Sequence, residues 1–165
     1  MAAVDVLGQV ADRLVGGMMF HSDHADLCLY MGFRKLAKLH ERGFRDDSAS
    51  LRRVHRLCVR MVGTFPAQGR QERTRTLDRW HCSDRTRHDE DTRVAALKEC
   101  MADWIEWEDG TSEEFSSAAR RLWECGETSL SREVAKLAED VDEELAGARD
   151  LMCRLVATGW DATIV

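Results

Sequence analysis

The sequence predicts an all-α protein: a four-helix bundle of two antiparallel helix hairpins joined by one long crossover. Three observations carry this. The 165 residues contain a single proline, Pro66, and no runs of alternating β-branched residues, so the turns and strands of a sandwich or barrel are missing. Apolar residues recur at alternating steps of three and four along the C-terminal half, the period of a helix that buries one face. Finally, two short connections and one of roughly 25 residues divide the helices into pairs.

The elements follow in chain order. Val4 to Val15 is helical in pattern, and Gly16-Gly17 either separates it from the next helix or weakens a continuous one. A long first helix is expected from Met18 to Arg42, with Leu29, Phe33 and Leu36 leading to His40, and Gly43 as its stop. Asp47 or Ser48 caps the second helix, which carries Leu51, Val54, Cys58 and Met61 and ends near Phe65-Pro66. Residues 67–92 lack a clean period and form the crossover, long enough to travel the length of a bundle. The acidic cluster Asp89, Glu90, Asp91 suits the start of the third helix, and Gly126 stops it. Thr128 or Ser129 caps the fourth, which continues to about Ala157. From these connections helices one and three are expected to run parallel, as are two and four. An up-down-up-down bundle with a structured excursion is the alternative.

Composition fixes the broad class. One domain spanning residues 1–165, with 44% hydrophobic and 33% charged residues, is globular and large enough for a real core. No apolar run approaches the roughly 20 residues that cross a bilayer. The opening MAAVDVLGQVADRL has an early Asp and no basic region, unlike a signal peptide. Six cysteines are scattered without a CxxC pair and read as mainly reduced core residues, which makes a cytoplasmic location the plain expectation.

The functional clue lies inside the two clearest stripes. The third helix runs Val94, Leu97, Met101, Trp104, Glu108, Thr111, Phe115, Ala118, Leu122, and the fourth runs Leu130, Val134, Leu137, Val141, Glu144, Ala148, Leu151, Leu155. Each places one carboxylate in the middle of an apolar face. A carboxylate buried there must find a cation, a donor or a proton. Arg34, Arg52, Arg53 or Arg56 of the first hairpin would supply ion pairs that fix register without any activity. A metal ion is the other solution.

The stretch FHSDHADLCLYMGFRKLAKLHERGFRDDSASLRRVHRLCVRMVGTFP, with WIEWED of helix three and LAEDVDEEL of helix four, resembles a group of small bacterial and phage-associated ferritin-like proteins, most without an established activity. The resemblance implies a ferritin-like four-helix bundle and brings no reaction with it. Metal-binding members of the wider superfamily use a Glu from each of two helices and Glu-x-x-His on the other two. Here Arg52 stands three residues before His55 where that Glu would be, and Gly147 stands where the second His would follow Glu144. Asp140, four residues before Glu144 on the same face, is a substitute ligand. Helix one adds His40 beside Glu41, with His21 and His24 further back. The candidate metal set is therefore His40, His55, Glu108, Asp140 and Glu144, enough for one iron or manganese ion and short of a di-iron oxidase.

The remaining features are read more plainly. Trp80, His81, Cys82, Asp84, His88 and Asp89 lie in the crossover without zinc-finger spacing, and form a polar loop anchored by Trp80. Its arginines (70, 73, 75, 79, 85, 87) alternate with acids as a solvated surface. Between Arg34 and Arg60 basic residues outnumber acidic ones nine to three, while helices three and four are acidic, so the hairpins attract one another. A net charge of −6 and the lack of a binding module argue against nucleic acid as a partner. Trp107 and Trp160 serve either a wide core and a folded-back tail or a homo-oligomer surface. The expected function is a structural, interaction or metal-sensing role around a degenerate polar centre. A metal-dependent oxidoreductase or iron-handling protein is the runner-up.

Overall fold

The computed structural model describes residues 2–63 and 89–165 and contains, among them, four long helices and no strand. These are α1 (Ala3–Met31), α2 (Arg34–Val62), α3 (Glu90–Glu124) and α4 (Thr128–Ala157), followed by a short 3₁₀ turn at Ala162–Ile164. No described helix is long and apolar enough to cross a membrane.

The first hairpin is divided differently from the expectation. Gly16 and Gly17 lie buried within a continuous α1, and Gly43 lies buried in the middle of α2. The break falls at Gly32, whose φ of 85° is the left-handed conformation that closes a helix, and its N–H bonds back to Leu29 O. Phe33 then carries the chain into α2, its ring fully buried. A helix from Met18 to Arg42 and a stop at Gly43 are thus overturned. The helices pass through Gly17 and Gly43 because the space of their missing side chains is taken by Asp47 and His21.

The second hairpin agrees with the sequence. Asp89 caps α3 by accepting a hydrogen bond from Thr92 N at 2.8 Å, and Gly126, φ 83°, ends the turn after it. Residues 90–92 therefore belong to α3 and not to the crossover. Thr128 opens α4 without a side-chain cap, contrary to the expected role for Thr128 or Ser129. The stripe of α3 from Leu97 to Leu122 is buried throughout, as is that of α4 apart from Glu144.

Helix directions follow from the partners. Rising numbers on α1 meet falling numbers on α3: Arg13 bonds Thr111, His21 meets Glu108, Cys28 meets Cys100, and Met31 O accepts from Arg93. Arg53 of α2 pairs with Glu133 of α4, and Arg149 and Asp142 of α4 bond Asp109 and Ser112 of α3. The helices α1 and α3 are therefore antiparallel, and α2 runs parallel to α3. The expectation that one and three, and two and four, run parallel is overturned. A connection between opposite ends of a bundle returns the chain to travel in the direction of the helix it left. The start of α3 lies beside Met31, whereas Val54 and Cys58 of α2 share an apolar cluster with Val6 and Leu7, so α2 ends and α3 begins at opposite ends of the bundle. The crossover cluster from Trp80 to His88, Phe65-Pro66 and the loop arginines lie outside the described residues.

Two apolar clusters fill the interior. One, at the Gly32 end, gathers Phe20, Leu27, Phe33, Leu36, Leu97, Trp104, Leu151 and Leu155, and is covered by the tail residues Ala162 and Val165. Trp160 packs against it, so the tail does fold back, and Lys35 N donates to Val165 O. The other cluster gathers Val6, Leu7, Leu14, Val54, Phe115, Leu122, Val134 and Leu137. Between them lies a polar layer.

Candidate metal centre

The buried face of α1 runs Val6, Val10, Leu14, Gly17, His21, His24, Cys28, Met31, and that of α2 includes Leu36, His40, Gly43, Val54 and Cys58. Both keep helical spacing, but their middles are histidine and glycine instead of aliphatic. The glycines are reciprocal. A Cβ on Gly17 of α1 would collide with the Asp47 carboxylate of α2. One on Gly43 of α2 would stand 2.5 Å from His21 Nε2. Each helix thus carries a glycine one turn before the polar residue it sends into its neighbour's glycine notch.

His21, 2% exposed, is the hub. Its Nε2 lies 3.3 Å from Glu108 Oε1, 3.9 Å from Glu144 Oε1 and 3.9 Å from Asp47 Oδ2. Glu108 also accepts a hydrogen bond from Trp104 Nε1 at 3.2 Å. On its other side His21 Nδ1 stands 3.0 Å from His40 Nδ1. Phe20 and Trp107 stack beside these rings, with the Arg13 guanidinium over Trp107. His24 bonds Phe20 O through Nδ1 and faces Asp103 at 3.6 Å.

The electrostatics follow from this crowding. Burial opposes charge on His21, but the hydrogen bond and charge of Glu108, with Asp47 and Glu144 beyond, prevail and raise its pKa. Burial, with the charges of His21 and His24, holds His40 well below the usual imidazole range. Burial and neighbouring acids lift both Asp47 and Glu144 to about 7. The raised pKa of His21 favours donation to Glu108, while the Nδ1–Nδ1 contact holds one hydrogen that either ring can supply. Among the described residues no arginine or lysine forms an ion pair with Asp47, Glu108 or Glu144. The arginines expected to do so lie elsewhere: Arg53 pairs with Glu133, and Arg34, Arg52 and Arg56 are exposed.

The structure sorts the sequence-predicted ligands. Glu108 and Glu144 converge, with His21, into a group whose donor atoms all lie within 4.8 Å of one another. His40 is buried in the interior of α2, not near a helix C-terminus, and touches this group only through His21. His55 is half-buried, and its separation of fifteen positions from His40 corresponds to roughly 22 Å of helix rise. Asp140 is exposed, one turn from Glu144, in the wall of a groove. His55 and Asp140 therefore stay outside the centre. His21 and Asp47 are the residues that sequence reasoning missed as members. Carrying the α1 stripe through Gly16-Gly17 would have included His21.

The groove runs between α2 and α4, encloses about 950 Å³, and reaches inward to Leu14, Trp104 and Phe115. Asp47 and Glu144 line it, so the polar layer is open to solvent on this side and sealed by α1 and α3 on the other. An imidazole and two carboxylates, with a third carboxylate nearby, form a nitrogen-oxygen donor set suited to iron or manganese. Comparison with family models, with curated proteins and with solved structures gives no match.

Proposed function

We propose that this protein is a ferritin-like, non-catalytic bundle whose response to a divalent metal ion is its function, the ion being held by His21, Glu108 and Glu144. The parallel course of α2 and α3, with α2 ending and α3 beginning at opposite ends of the bundle, supports the ferritin-like assignment. One observation carries the metal reading. Three carboxylates crowd one imidazolium with no described arginine or lysine in ion-pair contact, Arg13 and Arg42 acting on them only at longer range. A divalent ion there replaces the proton on His21 Nε2 and balances charge that otherwise keeps Asp47 and Glu144 protonated near neutrality. The ion joins residues of α1, α3 and α4 in one coordination sphere, so its loss is transmitted to helix packing. Iron or manganese suits the donor set, and a cytoplasmic setting with a homo-oligomeric assembly completes the proposal.

The groove favours a second reading, since it offers a small molecule access to Glu144. In that reading the bound metal serves oxidation or iron handling, and air oxidation of iron(II) by the protein tests it. The primary test is metal analysis of untagged protein, followed by thermal unfolding of metal-stripped protein with iron, manganese or zinc. Stabilisation in the wild type that disappears in Glu108→Ala supports the proposal. An equal shift in both, or none in either, refutes it.

A further inference from the structure

Beyond the His21–His40 contact lies a second set of donors with different chemistry. Cys28 of α1, His40 of α2 and Cys100 of α3 are 0%, 0% and 1% exposed, and their donor atoms lie within 4.8 Å of one another. The two thiols are free, with Sγ atoms 3.6 Å apart. His40 Nδ1 faces His21, and His40 Nε2 is buried without a hydrogen-bond partner among the described residues. A sealed imidazole nitrogen with nothing to bond is unfavourable and calls for an occupant.

We propose that Cys28, His40 and Cys100 form a site for zinc or a chemically similar cation, and that this site and the carboxylate centre cannot be filled together. Two zinc–sulfur bonds of about 2.3 Å at a tetrahedral angle hold their sulfurs about 3.8 Å apart, close to the spacing observed. A disulfide would instead require closure to about 2.05 Å. On binding, each thiol releases its proton to solvent and each sulfur forms a bond to the metal, with no change of oxidation state. Two thiolates neutralise a divalent ion, as a dry interior requires. His40 supplies the third ligand through Nε2.

The exclusion follows from one shared hydrogen. A neutral histidine ligates only through the nitrogen that carries no hydrogen. With metal on His40 Nε2, the ring keeps its hydrogen on Nδ1 and donates it to His21 Nδ1. His21 must then keep its own hydrogen on Nε2, donated to Glu108, and cannot ligate. With metal on His21 Nε2, the pattern reverses: His21 Nδ1–H donates to His40 Nδ1, and His40 carries its hydrogen on Nε2. The imidazole pair is thus a two-position selector between a sulfur-rich and an oxygen-rich site. The exclusion rests on the metal reading given above, whereas the thiolate site does not.

The test uses the reduced, metal-stripped full chain titrated with cobalt(II). A thiolate-to-cobalt charge-transfer band is expected, saturating at one equivalent and weakened in Cys28→Ser and in Cys100→Ser, whose folding is checked by circular dichroism. Should a serine variant fail to fold, the wild-type band alone carries the test. Manganese(II) in excess, its binding followed by paramagnetic resonance, is expected to raise the cobalt midpoint severalfold in the wild type and not in Glu108→Gln. Cobalt bound without the band overturns the thiolate site. A band that persists unchanged beside bound manganese overturns the exclusion. Manganese that never binds overturns the carboxylate centre, and the exclusion with it, while the band still decides the thiolate site.

Discussion

Replacing Gly43 by alanine tests the notch between α1 and α2 directly. By propensity alone the change favours the helix by about 0.8–1 kcal/mol. The new Cβ, however, would stand 2.5, 2.6 and 2.8 Å from Nε2, Cε1 and Cδ2 of His21, all well inside ordinary carbon contact. The ring has no slack, being held by His40 at 3.0 Å and Glu108 at 3.3 Å. Overpacking of this kind costs about 1–3 kcal/mol. Displacing the ring also loses a charge-assisted hydrogen bond, at about 1.5–3 kcal/mol. After the propensity gain, the net destabilisation is roughly 2–5 kcal/mol, or roughly 4–20 °C for a chain of this size. Gly147→Ala is the control, because a Cβ there meets nothing within 4 Å. It should raise the melting temperature by about 2–4 °C. Thermal melts followed by circular dichroism read both, and the cost of Gly43→Ala should vanish in a His21→Ala background. A Gly43→Ala protein as stable as wild type, or a cost that persists without His21, would refute the reasoning.

Three further outcomes are expected. Glu108→Ala, which leaves His21 and Trp104 Nε1 without their acceptor, should cost about 3–5 kcal/mol in denaturant unfolding, and Glu108→Gln clearly less. Metal-free protein should lose stability as pH rises from about 4 to 7, because Asp47 and Glu144, held at about 7, keep protons that the unfolded chain has already released. The raised pKa of His21 acts in the same direction: its stabilisation is whole below about 6.5 and fades as pH passes the higher folded value. The lowered pKa of His40 opposes both below about 6.5, so the loss is read as the difference between wild type and Glu144→Gln in melts at pH 5 and 8. Manganese at a hundredfold excess over its dissociation constant should add about 2.7 kcal/mol, more readily above pH 7 as His21 gives up its proton, and should add nothing to Glu108→Ala.

The second hairpin was legible because its buried faces are aliphatic and aromatic, with one carboxylate standing out in each. The first was not, because its buried faces carry their glycines and polar groups at midlength. Glycine has two uses in a helix, ending it or admitting a neighbour; sequence alone favoured the first at Gly43 and left both open at Gly16-Gly17. The actual end, Gly32 before Phe33, sits within a run that reads as continuous helix. That misdivision hid the alignment of His21 with Glu108 and of Asp47 with Gly17. Glu108 and Glu144 were found as partners because each interrupts a clean stripe. His55 and Asp140 entered the candidate set by motif position, and a motif does not fix the level along a bundle at which a side chain lies.

The polar layer also divides the interior into two separate apolar cores, one around Leu36 and Leu97 and one around Val54 and Phe115. Cooperative unfolding requires that the halves of a molecule share enough burial to melt together, and here the shared material is a band of ionisable groups. Without an ion, amide exchange should reveal two foldons, each protected by its own core and opening with its own free energy. Filling the band with a cation bonded to three helices would merge them into one. The protein's sensitivity to what occupies its middle is thus a matter of cooperativity, built by placing the weakest cohesion where the longest helices cross from one core to the other.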